Sequence, residues 1–229
     1  MCGVLGILSK KELELQSSLP LLQLLAHRGQ DASGIAWIPK YRRSQGLPEV
    51  QSAKVKGLPL DIEVHSNSTH LLIGSTRYPT FGKKSSVASL DDFAQPFTRY
   101  TPWGPLSIVH NGNIIFAPDT GLRNVDYCSD AEIVTELLTQ YLIKGQGDLL
   151  WAVTKLMKSI DGAYSICGIY RNKMFAFRDP YAIRPLCYTS SDDIIVVSSE
   201  SLVFNQMGLQ KTRDLRPGEL LIFEDDDEE

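Results

Sequence analysis

Met1-Cys2-Gly3-Val4-Leu5-Gly6-Ile7 opens the chain, and it carries two readings. In the first, Cys2 begins a buried strand over residues 2–8, as befits a residue type that is among the most often buried. In the second, Cys2 is a nucleophile. A small residue at position 2 permits removal of the initiator methionine, which would expose a thiol and an α-amine on one residue. An α-amine titrates near ~7.7–8.0 and a thiol near ~8.5. Around neutrality an unprotonated amine can therefore take the thiol proton, as in threonine enzymes activated by their own amino terminus.

Working outward from this stretch, short strand-like runs alternate with a few helical segments, and no repeat or long linker divides them. One domain is expected over residues 1–223, followed by an acidic tail at 224–229. A short helix is expected over Leu19 to Ala26 and a strand over Gly34 to Ile38. Leu71, Leu72 and Ile73 precede a turn-rich stretch from Arg77 to Gln95 that reads as a surface loop, and long loops within compact domains are often functional. Leu106 to Val109 and Ile114 to Phe116 flank His110-Asn111-Gly112-Asn113, where Asn-Gly between apolar runs predicts a hairpin turn. Ser129-Asp130-Ala131-Glu132 fits a capping box, and Ile133, Val134, Leu137, Leu138, Tyr141 and Leu142 continue it as a helical stripe. A second helix is expected over Asp148 to Ile160. Strands are then predicted at Ala163 to Tyr170, Met174 to Phe177, Leu186 to Tyr188, Ile194 to Ser198 and Leu220 to Phe223.

Composition narrows the function classes. The 229 residues are 43% hydrophobic and 22% charged, an ordinary globular balance. A net charge of -4 gives no general electrostatic reason to expect a nucleic-acid partner. No apolar run has the length of a membrane span, and no signal-peptide pattern follows Met1, so no membrane association and a cytoplasmic location are the expectation. Cys2, Cys128, Cys167 and Cys187 form no CxxC pair, which argues against a zinc or iron–sulfur site, and neither a metal nor a cofactor is expected.

Four polar clusters remain. His27-Arg28-Gly29-Gln30-Asp31-Ala32-Ser33-Gly34 packs charge and glycine between a helix and a strand, where a plain connection needs less chemistry. Arg77 ends an apolar strand beside Tyr78-Pro79-Thr80, and a guanidinium fork suits a carboxylate. Asn111 and Gly112 can offer an amide side chain and an unobstructed backbone N–H to a developing oxyanion, or simply make a tight turn. Asp130 lies in a first helical turn, where the helix dipole favours a carboxylate in any case.

The strings CGVLGI, HRGQDASG, STRYPT, HNGN, SDAE, FRDPYAIRPL and RPGE occur here in the order found in class II glutamine amidotransferases, and the resemblance runs from Cys2 to about Phe223. HRGQDASG and FRDPYAIRPL resemble the branch that contains the glutaminase domain of amidophosphoribosyltransferase. The asparagine synthetase branch usually has proline after the RG, and the glucosamine-phosphate synthase branch a tyrosine. The resemblance implies an α+β fold of the N-terminal nucleophile hydrolase type, a four-layer α-β-β-α sandwich of two antiparallel sheets.

It also implies roles. Cys2 would attack the side-chain amide of L-glutamine and form a glutamyl thioester, with its own α-amine moving the proton to departing ammonia. Asn111 and Gly112 match the oxyanion hole. Arg77 matches the residue that holds the α-carboxylate of glutamine, and Asp130 the one that pairs with its α-ammonium. Arg28 and Gly29 belong to the loop beside the nucleophile, while Tyr78 and Thr80 would complete the pocket. Ser75 departs from the family's usual histidine, and Phe116 from an asparagine often found after NGN. A phosphoribosyl-binding domain is not expected in this chain, so ammonia would pass to a separate synthase or phosphoribosyltransferase. The alternative is a non-catalytic glutamine-binding regulatory or sensor module. A cysteine hydrolase with a separate histidine base is weaker, because His27 and His110 are explicable as structural and His65 and His70 have no evident acidic partner.

Overall fold

The first strand has no solvent face over most of its length. In the computed structural model of the protein, which describes residues 1–39, 48–64, 68–78, 90, 94–118 and 129–224, β1 (Gly3–Glu14) sends Val4 and Leu8 into one apolar cluster and Leu5 and Ile7 into another. Strand side chains alternate faces, so a strand that is apolar on both must lie inside a layered structure. The chain continues through α1 (Leu15–Gln23), β2 (Ala32–Pro39), β3 (Gln51–Val55), β4 (Ser68–Arg77), β5 (Phe97–Thr101) and β6 (Gly104–Phe116). It then runs through α2 (Asp130–Lys144), α3 (Leu149–Ser159), β7 (Asp161–Tyr170), β8 (Lys173–Arg178), β9 (Cys187–Ser190) and β10 (Ile194–Ser198). The short α4 (Leu202–Gln206), β11 (Arg213–Asp214) and β12 (Leu220–Phe223) complete it.

Two antiparallel sheets result, ordered β11-β9-β10-β1-β4-β2-β3 and β12-β8-β7-β6-β5. Val4, Leu8, Ile73, Val109, Cys167, Ile169 and Met174 fill the space between them. Leu106, Ile108, Tyr164, Ile166, Phe175 and Phe177 face away from that space and pack against Val134, Leu138, Val153 and Leu156 of α2 and α3. On the opposite outer face, Leu5, Ile7, Ile35 and Leu72 meet Leu15, Leu19 and Leu22 of α1 and Phe204 of α4. The layers are helix, sheet, sheet, helix, as the resemblance implied. Among the described residues, no helix is long and apolar enough to cross a membrane.

Both long helices start where their local chemistry predicts. Ser129 Oγ accepts from Glu132 N at 3.3 Å, and Asp148 Oδ1 accepts from Trp151 N at 2.9 Å. The Glu132 carboxylate pairs with Arg99 of β5, tying α2 to its sheet. The first helix begins earlier than expected, at Leu15, because Leu15, Leu19 and Leu22 all reach the sheet, while residues 26–28 form a separate 3-10 turn.

The expected hairpin turn at His110-Asn111-Gly112-Asn113 is not there. These residues lie inside β6, paired with β7 in continuous register from Leu106↔Tyr170 to Ile114↔Gly162. Gly112 serves a different need: a Cβ at that position would sit 2.2 Å from the Ala163 carbonyl oxygen, so only glycine lets the two strands approach this closely. The strands β3, β5 and β11 and the helix α4 were not anticipated. Of the expected loop from Arg77 to Gln95, residues 79–89 and 91–93 lie outside the described residues, as do Thr80, Cys128, His65 and the tail residues 225–229.

Candidate active site

Sheet register brings the first pair of site residues together. Gly3 pairs with Thr76 and Val4 with Ser75 across β1 and β4, so one step further places Cys2 opposite Arg77. Residues 2–4 are held from several sides. Thr76 Oγ1 accepts from Gly3 N at 3.1 Å, and Ser199 Oγ accepts from Val4 N at 3.0 Å. Arg28, whose side chain is 6% exposed, donates from Nε to the Cys2 carbonyl at 3.0 Å and from Nη1 to Glu200 Oε1 at 2.6 Å. Glu200 also meets His27 Nε2 at 3.0 Å. Burial pushes the Glu200 carboxyl up, but the hydrogen bonds from Arg28 and His27 outweigh it and hold it below the usual carboxylate range.

The second sheet supplies the other wall. Asn111 Oδ1 accepts from the backbone nitrogen of Cys2 at 3.1 Å, while its Nδ2 is buried with no hydrogen-bond partner among the described residues. His110 donates its backbone N–H to Gln95 Oε1 at 2.6 Å and accepts from Gln95 Nε2 at 3.0 Å. In an antiparallel ladder both backbone groups of a residue face one neighbour, and alternate residues face opposite sides. Residues 110, 112 and 114 therefore address the same edge of β6. Ile114 N–H is taken by Asp130 Oδ2 at 3.0 Å. Between the positions occupied by Gln95 and Asp130, the ladder turns the Gly112 N–H toward the pocket that Cys2, Arg77, Tyr78, Ser129 and Asp130 also line.

The charges in this pocket are partly stripped of water. Burial lowers the Arg77 pKa, opposed by Cys2, Asp130 and Asp31, and a guanidinium remains charged regardless. Burial raises the Asp130 carboxyl above its ordinary range despite the Ile114 hydrogen bond and the charge of Arg77. A cation and an anion thus stand in one cleft, suited to the two ends of an α-amino acid. His110 is different. Burial, together with Arg77 and Arg184, pushes its pKa down to about 3, too weak a base to hold a thiol proton.

Cys2, Arg77, Tyr78, Gly112 and Asp130 thus share one pocket, with Asn111 bonded to Cys2. Tyr78 contributes mainly main chain: the residue is 55% exposed, and its carbonyl lies 3.9 Å from Cys2 Sγ. Arg28 and Gly29 stand behind Cys2 and do not line this pocket. Arg28 braces Cys2, and a Cβ on Gly29 would lie 2.4 Å from the Arg77 carbonyl carbon, so Gly29 lets the 3-10 turn press against the Arg77 backbone. Sequence reasoning missed Gln95, Ser199 and Glu200, none of which has a local motif to signal it. His27, read as a structural hydrogen-bonding residue, bonds the Leu24 carbonyl and Glu200, and His70 bonds the Ser9 carbonyl. A roomier cleft of about 220 Å³, lined by Leu8, Lys10, Asp192, Asp193 and Glu224, lies elsewhere and is lined by no cysteine or arginine.

Comparison with known proteins places the chain in one family. The family model described as a glutamine amidotransferase domain matches residues 83–206. An amidophosphoribosyltransferase of Archaeoglobus fulgidus is 31% identical over 98% of this chain and 49% of its own length. That of Pasteurella multocida is 34% identical over 96% of this chain and 46% of its own length. The chain spans about half the length of the curated relatives it matches. Among solved structures, the glutamine phosphoribosylpyrophosphate amidotransferase from B. subtilis superposes with a TM-score of 0.77 at 27% identity, over 98% of this chain and 47% of that one. With a matching family model, a shared fold and a pocket that brings a thiol together with a guanidinium and a carboxylate, the chain belongs to the class II glutamine amidotransferase domain family.

Proposed function

We propose that this chain hydrolyses L-glutamine to L-glutamate and ammonia at Cys2, and that the ammonia passes to a phosphoribosyltransferase or another synthase. The reading is carried by the 3.1 Å contact between the Cys2 nitrogen and Asn111 Oδ1, which leaves Nδ2 as a buried donor on the same side chain that holds Cys2. After removal of Met1, that nitrogen is the α-amine. Asn111 Oδ1 then fixes it next to its own Sγ, where it takes the thiol proton.

The thiolate attacks the side-chain carbonyl carbon of glutamine, and the carbonyl π electrons move to oxygen. Asn111 Nδ2–H and Gly112 N–H receive the negative charge that develops there. The α-ammonium of Cys2 returns its proton to the amide nitrogen, the C–N bond breaks, and ammonia leaves a glutamyl thioester. Water, deprotonated by the same amine, then releases glutamate and the thiolate. Arg77 holds the α-carboxylate of the substrate and Asp130 its α-ammonium, so a ligand lacking either charge forfeits one of the two ion pairs. A reducing, cytoplasmic setting suits this thiol and the free Cys167 and Cys187.

A glutamine-binding module without turnover needs Arg77 and Asp130 but has no use for the Cys2–Asn111 contact. One experiment separates the two: intact mass of the purified chain, then ammonia and glutamate release from glutamine by the wild type and by Cys2→Ala. Loss of Met1 and turnover abolished in Cys2→Ala are expected. A folded, Met1-free chain that releases no ammonia, alone and with the proteins that co-purify with it, overturns the proposal.

A further inference from the structure

The edge of β6 next to the pocket is completed by a side chain. Phe97 of β5 pairs with Ile108, so extending that register by two residues would place the backbone of Gln95 opposite His110. The main chain does not stay there. Pro96 has no N–H to offer a ladder, and the Gln95 carbonyl turns to the other sheet, where it lies so close to Gly34 that a Cβ there would come within 2.2 Å of it. The carboxamide of Gln95 remains behind. With one acceptor and one donor, at 2.6 and 3.0 Å, it reproduces the two hydrogen bonds a strand residue would make to His110, and it is 2% exposed.

We infer that Gln95 is a positioning residue for the oxyanion donors, a surrogate strand residue that holds His110 and thereby sets the aim of Asn111 Nδ2 and Gly112 N–H. The inference rests on the glutaminase reading above. Without Gln95 the edge of β6 is unpaired at residue 110, one and two residues from those donors. Donors to an oxyanion act in the transition state, whereas Arg77 and Asp130 bind the ground state. The expected signature is a fall in kcat with KM for glutamine little changed.

Two variants test it. Gln95→Met keeps the size and removes both hydrogen bonds. Gln95→Glu keeps an acceptor, loses the donor when ionised and regains it when protonated. With folding checked by circular dichroism, Gln95→Met is expected to lower kcat about 100-fold, the scale of a misplaced transition-state group, with KM within about twofold. Gln95→Glu should recover kcat relative to wild type as pH falls toward the ordinary glutamate range of ~4.3. Amide hydrogen exchange at residue 110 should accelerate in Gln95→Met. Wild-type kcat in Gln95→Met overturns the inference, as does a loss of kcat/KM carried wholly by KM. A wild-type chain inert on glutamine overturns the glutaminase reading and the catalytic part of this one. Exchange at residue 110 judges the bracing independently: faster exchange upholds it, and unchanged exchange overturns it whatever the activity.

Discussion

Asp130→Asn separates what this carboxylate does for folding from what it does for substrate. Asp130 Oδ2 accepts from Ile114 N at 3.0 Å, and asparagine can keep that bond through its own side-chain oxygen. The lost quantity is the negative charge that, in the proposed function, faces the α-ammonium of glutamine. Hydrogen bonds to charged groups contribute about 1.5–3 kcal/mol, which at ~1.4 kcal/mol per tenfold corresponds to a rise in KM of roughly 10- to 150-fold. Stability should move the other way. Burial raises the Asp130 pKa in the folded chain. A raised carboxyl favours folding below its unfolded pKa and loses that advantage as pH rises through the folded value. At neutral pH the ionised Asp130 therefore costs stability, and Asp130→Asn should melt at or above the wild-type temperature, the gap closing in acid. Asp130→Ala also strips Ile114 N–H of its acceptor, at a cost of about 1 kcal/mol, or ~2–4 °C for a chain of this size. Steady-state kinetics across pH and thermal melts of both variants provide the assay. In the wild type, KM should climb as pH falls through the raised Asp130 pKa, and in Asp130→Asn it should not. An unchanged KM in Asp130→Asn, or an Asn variant as unstable as the Ala variant, would refute the reasoning.

Two further substitutions probe the supports behind Cys2. Glu200→Gln removes the carboxylate partner of the buried Arg28, costing roughly 1–2 kcal/mol because Glu200 is itself partly solvated, and it should lower kcat by loosening the hold on the Cys2 carbonyl. The Glu200 pKa is depressed, so this stabilisation is present above the unfolded pKa and lost as pH falls through the folded one; melts of the two proteins should converge in acid, and parallel curves down to that range count against the ion pair. Gly29→Ala puts a methyl group 2.4 Å from the Arg77 carbonyl carbon, a backbone collision of the kind that costs about 1–3 kcal/mol. A lower melting temperature and a raised KM for glutamine are expected, and a variant with wild-type values of both would show that the 3-10 turn can retreat freely.

How much of this was legible beforehand depended on the range of the interaction. Ser129 and Asp148 announced their helices because a cap is a contact over three residues, and the stripe after Ser129 named the face that α2 buries. The order of CGVLGI, HRGQDASG, STRYPT, HNGN and SDAE pointed to the chemistry of a thiol, an oxyanion site and a charge pair. The same local logic failed at Asn111-Gly112, where a turn signal was overridden by pairing with β7, whose close approach needs the glycine for another reason.

Taken alone, the sequence determined the candidate nucleophile, its family, the capped helices and most of the buried strands, because these follow from short motifs and from periodicity. Only the tertiary structure decided how Cys2 is held. Cys2 meets Asn111 across 109 positions and Arg28 meets Glu200 across 172, while Gln95 bonds a backbone that any residue could present. Such contacts leave no pattern in a single chain. They exist because β1 and β6 lie in facing sheets whose packing brings the end of one strand against the edge of the other.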